Sequence, residues 1–187
     1  MSFYHNLNRR TFIKASLLAT LAMCQGENAF ALLRPEDRLP LGRLALRNVH
    51  TGERLAITYR DQNGRYNRSA LDAVNRLLRC HYTNMIHPID VRTLEHLNLA
   101  VRRAGTTNEI HVISGYRSPQ YNAMLRQQSH GVAKHSLHME GRAVDFRIPG
   151  LSLSTLHRAA VSLAYGGVGY YPGSDFVHLD SGAFRTW

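Results

Sequence analysis

The spacing of apolar residues divides most of the chain into short amphipathic segments. In the segment 69–81, apolar side chains stand at positions 70, 71, 74, 77 and 78, which is the spacing of a helix with one buried face. Short apolar runs bounded by turn residues, such as 110–113, indicate strands. Helices are predicted at 69–81, 91–104, 120–129 and 154–164, and strands at 44–48, 55–59, 110–113, 143–148, 168–171 and 176–179.

The order of these segments favours the α+β class. Helices come early, strands dominate the second half, and the two do not alternate in the β–α–β units that build parallel sheets. The turn sequence His50-Thr51-Gly52-Glu53 joins the first two strands into a hairpin. We therefore predict an α+β fold with a small antiparallel sheet and flanking helices.

The first thirty-one residues have the features of a secretion signal. Arg9-Arg10 precedes Thr11-Phe12-Ile13-Lys14, an apolar stretch covers 15–23, and the small residues Ala29 and Ala31 provide a cleavage site. We predict that residues 1–31 are a twin-arginine signal peptide and that 32–187 form one domain. The export machinery is then a partner and the periplasm the location. Lipid attachment at Cys24 is disfavoured because Met23, the residue before it, is bulky.

The charge of the chain does not identify its partner. The chain has a formal net charge of +10, and its only lysines are Lys14 and Lys134. Such arginine-rich composition is typical of an ordinary solvated surface, and it also suits nucleic acid, anionic wall polymers or a carboxylate-rich substrate. Nucleic-acid recognition motifs are missing and export argues against that partner, so we predict no nucleic-acid binding. No apolar run reaches the roughly 20 residues of a transmembrane helix, so none is expected in the mature chain.

Two segments near the C-terminal end supply residues suited to a metal. His138 and Asp145 lie seven residues apart around Gly141, and His178 lies on the last predicted strand. A turn at Gly141 can place the first two side by side. Two imidazoles, one carboxylate and an open fourth position are what a catalytic zinc requires. We predict one zinc ion per chain, bound by His138, Asp145 and His178.

The residues around this set resemble those of a known family. The pattern S-x-H-x-x-G-x-A-x-D begins at Ser136, H-x-D begins at His178, and Ser-Gly-Tyr-Arg-Ser occupies 114–118. Together they resemble the M15 zinc peptidases, which include the D-Ala-D-Ala peptidases. The hairpin sequence, the twin-arginine leader and the segment 166–172 are similar to the YcbK branch of that family. The resemblance extends over essentially the whole chain.

The resemblance implies a hedgehog/D-Ala-D-Ala-peptidase type of fold and a zinc hydrolase that cuts peptide crosslinks of peptidoglycan. It implies that His138, Asp145 and His178 are the metal ligands, the same three residues predicted above. It places Arg117 at the carbonyl that is cleaved, where a fixed guanidinium stabilises developing negative charge. Ser136 matches a serine near the substrate, with capping of its own loop as the alternative.

The sequence offers two carboxylates, Asp175 and Asp180, as candidates for the general base and does not choose between them. Many M15 enzymes carry Glu three residues before the last ligand or His two before it, but this chain has Asp175 and Phe176 there. Asp175 is shorter than Glu. Asp180 shares a strand face with His178 and can serve as the base or orient a neighbour.

Two other functions fit parts of the pattern. His178-Leu179-Asp180 is the H-x-D of non-haem iron oxygenases, but no histidine follows it as the third ligand. A protein of the same fold that binds metal or cell wall without catalysis is the main alternative, since the general base is unsettled. Digestion of purified peptidoglycan separates it from an enzyme.

Overall fold

The computed structural model describes residues 39–128 and 131–187. The predicted signal peptide, with Arg9, Arg10 and Cys24, lies outside these residues. The helices are α1 (Arg68–Leu77), α2 (Val91–Arg103), α3 (Pro119–Gln128) and α4 (Leu153–Val161), with short 3₁₀ helices at Leu137–Glu140 and Pro172–Ser174. The strands are β1 (Gly42–Asn48), β2 (Arg54–Arg60), β3 (Ile110–Ser114), β4 (Ala143–Arg147), β5 (Gly167–Tyr171), β6 (Phe176–Asp180) and β7 (Arg185–Thr186).

The chain divides into two units. Of the described residues, the first comprises 39–41 and 60–66, where the Leu39 amide donates to the Gln62 carbonyl at 3.1 Å. The second comprises 42–59 and 67–187 and contains the four described helices. In the part of the chain described here, no helix is both long and apolar enough to cross a membrane.

The four predicted helices and six predicted strands are present, and local chemistry explains where several helices begin. Three of them start with a side chain that accepts a hydrogen bond from an unpaired amide of the first turn. Asn67 accepts from Ala70, Asp90 from Arg92, and Ser152 from Thr155. Helix α1 ends earlier than predicted, at residue 77 rather than 81.

The sheet is mixed, so the prediction of an antiparallel sheet is wrong in part. The described strands form one sheet in the order β2-β1-β3-β4-β6-β5-β7. β3–β4, β4–β6 and β5–β6 are antiparallel, but β1 pairs with β3, and β5 with β7, in parallel. Parallel neighbours need a long crossover. Helices α1 and α2, between β2 and β3, provide it for the first pair.

The two faces of the sheet differ in character. Val144 of β4 and Leu179 of β6 are opposite each other and buried in the core, on the face where α2 and α4 pack. Successive side chains of a strand point to opposite faces. Asp145 and His178, which are also opposite each other, therefore share the other face. The helices bury one side of the sheet and leave the other for polar side chains.

A close backbone contact at Gly141 shapes the turn between His138 and β4. Gly141 has a φ of +65°, and a Cβ atom there would collide with the carbonyl oxygen of Pro88. The Gly141 carbonyl accepts a hydrogen bond from the Asp90 amide at 2.9 Å, so the approach is tight on both sides. Glycine is required here for its left-handed conformation and for its lack of a side chain.

We expect Gly141→Ala to destabilise the protein by about 3 kcal/mol, because left-handed strain and overpacking add. Gly52→Ala is the control, since Gly52 has a φ of +73° but a Cβ atom added there would have no atom within 4 Å. It should cost only about 1 kcal/mol. Urea unfolding of both variants tests the difference, and equal losses would contradict it.

Candidate metal centre

The pairing of β4 with β6 positions two of the three predicted ligands. Asp145 and His178 face each other in the antiparallel ladder and lie on the face away from the helices. His178 Nδ1 is 2.7 Å from Asp145 Oδ1. Both side chains are almost entirely buried, with 7% of Asp145 and 13% of His178 exposed. The sheet itself therefore fixes two of the three predicted ligands.

The third predicted ligand comes from the 3₁₀ helix that precedes β4. His138 lies in Leu137–Glu140, and its carbonyl accepts hydrogen bonds from the amides of Arg117 at 3.0 Å and Gly141 at 3.3 Å. These bonds tie the short helix to the segment after β3. They hold the backbone of His138 where its imidazole reaches Asp145 and His178.

The three side chains converge on one point. His138 Nε2 lies 3.3 Å from His178 Nδ1 and 3.2 Å from Asp145 Oδ2. One ligand atom from each residue lies within 4.8 Å of the others. Tetrahedral zinc with bonds of about 2.0–2.2 Å separates its ligand atoms by about 3.3 Å. The cluster therefore fits a zinc ion without rearrangement of the backbone.

The outward nitrogen of each imidazole has its own partner. His138 Nδ1 donates to the Gly115 carbonyl at 2.8 Å, and His178 Nε2 donates to Asp180 Oδ2 at 3.1 Å. Partners of this kind fix the orientation and tautomer of metal-binding histidines. They leave His138 Nε2 and His178 Nδ1, the two nitrogens that converge, available to bind a cation.

The electrostatics of the cluster favour a positive charge between its members. Burial opposes ionisation of Asp145, but His138 and His178 outweigh it and hold the pKa of Asp145 well below its usual range. Burial lowers the pKa of His138. Burial also acts against protonated His178, yet hydrogen bonds to Asp145 and Asp180 raise its pKa to about 9. These effects favour a positive charge where the three side chains converge.

Arg117 lies beside the cluster. Its Nη2 is 3.6 Å from Asp145 Oδ2 and 3.4 Å from the hydroxyl of Ser114, and its Nη1 is 3.5 Å from Asn122 Oδ1. Only 12% of the side chain is exposed, and Nε is buried without a partner among the described residues. The guanidinium is held loosely, by long contacts, with capacity to donate to another oxygen.

Asp180 is enclosed by donors. Its carboxylate is fully buried and accepts from Arg185 Nη2 at 2.6 Å, Arg185 Nη1 at 3.1 Å, the amides of Gly167 at 3.1 Å and Gly182 at 2.8 Å, and His178. Burial raises its pKa, but these donors reverse that effect and hold the pKa well below its usual range. A carboxylate with all its acceptor positions engaged is suited to orienting His178 and poorly suited to taking up a proton.

The structure does not bring Asp175 into the cluster. Asp175 ends the 3₁₀ helix before β6, and its carboxylate is 2.6 Å from Arg147 Nη1 and 62% exposed. Ser136 is buried and directly precedes the 3₁₀ helix of His138, but its side chain does not cap that helix. The Ser136 hydroxyl therefore does not stabilise the start of this helix, and a place near the substrate stays a prediction.

Two residues that sequence reasoning missed complete the support of His178. Arg185 binds Asp180 with both terminal nitrogens, and the Trp187 ring lies 5.3 Å from the His178 ring and 4.9 Å from the Arg185 guanidinium. Trp187 can lie there because Gly169, opposite His178, has no side chain to displace it. A two-residue strand such as β7 leaves no periodic signal in the sequence.

Comparison with known proteins agrees with this architecture. The model of the peptidase family Peptidase_M15_2, described as peptidoglycan L,D-endopeptidase MepK, matches residues 40–187. The chain is 38% identical to the probable peptidoglycan L,D-endopeptidase MepK of Haemophilus influenzae, over 98% of this chain and 97% of that protein. It is 40% identical to the peptidoglycan L,D-endopeptidase MepK of Escherichia coli K12, over 96% and 97%. The chain therefore belongs to the MepK family of M15 peptidases, and the resemblance seen in its motifs is confirmed.

Proposed function

We propose that this chain is a zinc-dependent endopeptidase that hydrolyses peptide crosslinks of peptidoglycan. The observation that carries the proposal is the convergence of His138 Nε2, Asp145 and His178 Nδ1, with the outward nitrogen of each imidazole already bonded. Family membership supports the same function, because the relatives are named as peptidoglycan L,D-endopeptidases.

In this proposal His138, Asp145 and His178 hold the zinc ion. A zinc ion bound by three protein ligands acidifies a coordinated water and polarises a carbonyl group. The protein holds the ligands in place from outside through the Gly115 carbonyl and the Asp180 carboxylate. Because the ligands are nearly buried, little bulk water surrounds them and the electrostatic effects of the site are strong.

Arg117 stabilises the charge that develops during cleavage. Its guanidinium lies beside the cluster and makes only long contacts to Ser114, Asn122 and Asp145. An oxyanion offers stronger, charge-assisted hydrogen bonds than these. Arg117 therefore donates to the carbonyl oxygen of the bond under attack and binds it most tightly in the transition state.

Asp180 is a positioning residue in this scheme and not the general base. It accepts the proton of His178 Nε2 and is itself held by Arg185. This arrangement keeps His178 Nδ1 directed toward the metal. Asp175, bound to Arg147, takes no direct part.

The bond that we propose as the substrate joins an L centre to a D centre. The names of the relatives specify L,D-endopeptidases. Among peptidoglycan crosslinks, this chemistry corresponds to the diaminopimelate–diaminopimelate bond rather than the D-Ala–diaminopimelate bond. Mass analysis of the products from defined dimers of each kind distinguishes the two.

We expect the mature protein to contain about one zinc ion and to cleave crosslinked muropeptide dimers. A chelator should abolish cleavage and added zinc restore it. His178→Ala should lose both metal and activity. His111→Ala should keep both, because His111 contacts Glu109 and is not one of the three residues that converge. Elemental analysis and product mass analysis measure the two quantities. A zinc-loaded protein that leaves every crosslink intact would instead be the non-catalytic wall-binding alternative.

We expect Asp180→Asn to reduce cleavage about 10–100-fold, the usual effect of removing a partner of a metal-binding histidine. The acidic limb of the pH–rate profile should remain, since Asp180 is not the base. Asp175→Asn should be close to wild type. Loss of the acidic limb in Asp180→Asn would make Asp180 the base, and an inactive Asp175→Asn would contradict the placement of Asp175.

We also propose that residues 1–31 direct export to the periplasm by the twin-arginine route and are then removed. Replacing Arg9 and Arg10 by lysine should leave uncleaved precursor in the cytoplasm, because the route recognises the arginine pair. Arg34→Lys with Arg38→Lys, beyond the predicted cleavage site, is the matched control and should be exported normally. Fractionation followed by mass determination measures both. Periplasmic delivery of the first variant would exclude this route.

A further inference from the structure

Four aromatic side chains form a continuous row outside the metal cluster. The rings of His50 and His81 are stacked with centroids 3.7 Å apart, His81 meets Tyr121 edge-on at 4.9 Å, and Tyr121 stacks on Tyr82 at 5.1 Å. They come from three separate segments: the β1–β2 turn, the connection after α1, and α3. We call His50, His81, Tyr121 and Tyr82 the aromatic row.

The aromatic row borders the segment that carries Arg117. The Tyr121 amide donates to the hydroxyl of Ser118, the residue after Arg117, at 3.2 Å. At the other end, the His50 ring is 2.9 Å from the carbonyl oxygen of Ile113, next to the Ser114 that contacts Arg117. Burial, and then the charges of His50 and Arg117, lower the pKa of His81, which favours its uncharged form.

The outer end of the row is open to solvent and held in place by hydrogen bonds. Tyr82, Met85 and Ile86 are each about half exposed, at 52%, 50% and 53%. Their segment is closed by hydrogen bonds from the Cys80 amide to the Met85 carbonyl at 3.0 Å and from the Asn84 amide to the Cys80 carbonyl at 2.8 Å. Exposed apolar side chains that lie together mark an interaction site more often than isolated ones do.

The chemistry of the row suits a sugar better than a peptide rich in carboxylates. Tyr82 stacks on Tyr121 and is half exposed at the outer end of the row. An exposed aromatic face carries partial negative charge and attracts the C–H groups on the apolar face of a pyranose ring. The tyrosine hydroxyls and imidazole nitrogens at the ring edges can bond hydroxyl and acetamido groups. A carboxylate would instead be drawn to a cation, which Arg117 supplies beside the metal cluster.

We propose that the aromatic row binds the amino-sugar strand of peptidoglycan while the attached crosslink enters the metal centre. The inference rests on the proposed function for its choice of polymer. A short stem peptide separates the sugar from the crosslink, so one molecule can engage both sites only if they are neighbours. The hydrogen bond from the Tyr121 amide to Ser118 and the contact of His50 with the Ile113 carbonyl place the row beside the segment that carries Arg117.

Binding at the row acts on substrate capture and not on the chemical step. Contacts remote from the reacting bond that are equal in ground and transition states lower KM and leave kcat unchanged. The row should therefore matter for crosslinked dimers that carry sugars and have no effect on the same peptides after the sugars have been removed.

The test compares Tyr82→Ala, Tyr82→Phe and the control Tyr66→Ala, an exposed tyrosine outside the row. Tyr82→Ala should raise KM for glycan-bearing dimers about tenfold, the value of one aromatic contact. Its kcat and its cleavage of sugar-free dimers should be unchanged. Tyr82→Phe keeps the ring and should stay close to wild type. Equal effects on both substrates, or the same effect from Tyr66→Ala, would overturn the proposal.

A binding measurement separates this proposal from the proposed function. Calorimetric titration of the zinc-loaded mature protein with a peptide-free oligomer of N-acetylglucosamine and N-acetylmuramic acid requires no cleavage. Wild type should bind, and Tyr82→Ala should bind about tenfold more weakly. Binding without any cleavage would support the row and refute the peptidase. Cleavage with no binding by wild type, or with equal binding by Tyr82→Ala, would refute the row alone.

Discussion

The register between β4 and β6 is the constraint on which the candidate metal centre depends. It sets Asp145 opposite His178, and the neighbouring pair Val144–Leu179 is buried on the helix-covered face. A slip by one residue would turn His178 under the helices and Leu179 toward solvent. Exposing each buried aliphatic side chain costs about 1.5–3 kcal/mol. The hydrophobic face of the sheet therefore sets the geometry of its polar face.

The cluster itself is costly to bury, and its surroundings compensate for that cost. Asp145 and Asp180 are both carboxylates in the interior, where an unpaired charge is strongly unfavourable. Asp145 is offset by two imidazoles and the Arg117 guanidinium, and Asp180 by Arg185 and two backbone amides. The two networks meet at His178, which bonds one carboxylate with each ring nitrogen. A change in either network is transmitted to the orientation of this imidazole.

Much of this could be predicted from the sequence, and the rest depends on contacts distant along the chain. Apolar spacing predicted the helices, and the motifs around His138, Asp145 and His178 predicted residues that do converge. The parallel pairing of β1 with β3 was not predicted because it depends on how two intervening helices return the chain. Arg185 was missed because only the folded β5–β7 pairing brings it to Asp180.

The order of segments along the chain has a consequence for how the centre assembles. Asp145 and His138 lie in neighbouring segments, but His178 and its supports, Asp180 and Arg185, follow a further helix and a further strand. The β4–β6 ladder thus closes a long loop, and such non-local pairings form slowly in folding. During synthesis the nascent chain carries only two of the three proposed ligands until β6 has left the ribosome. Binding of the proposed zinc ion would consequently require the finished fold, and metal loading would report that folding is complete.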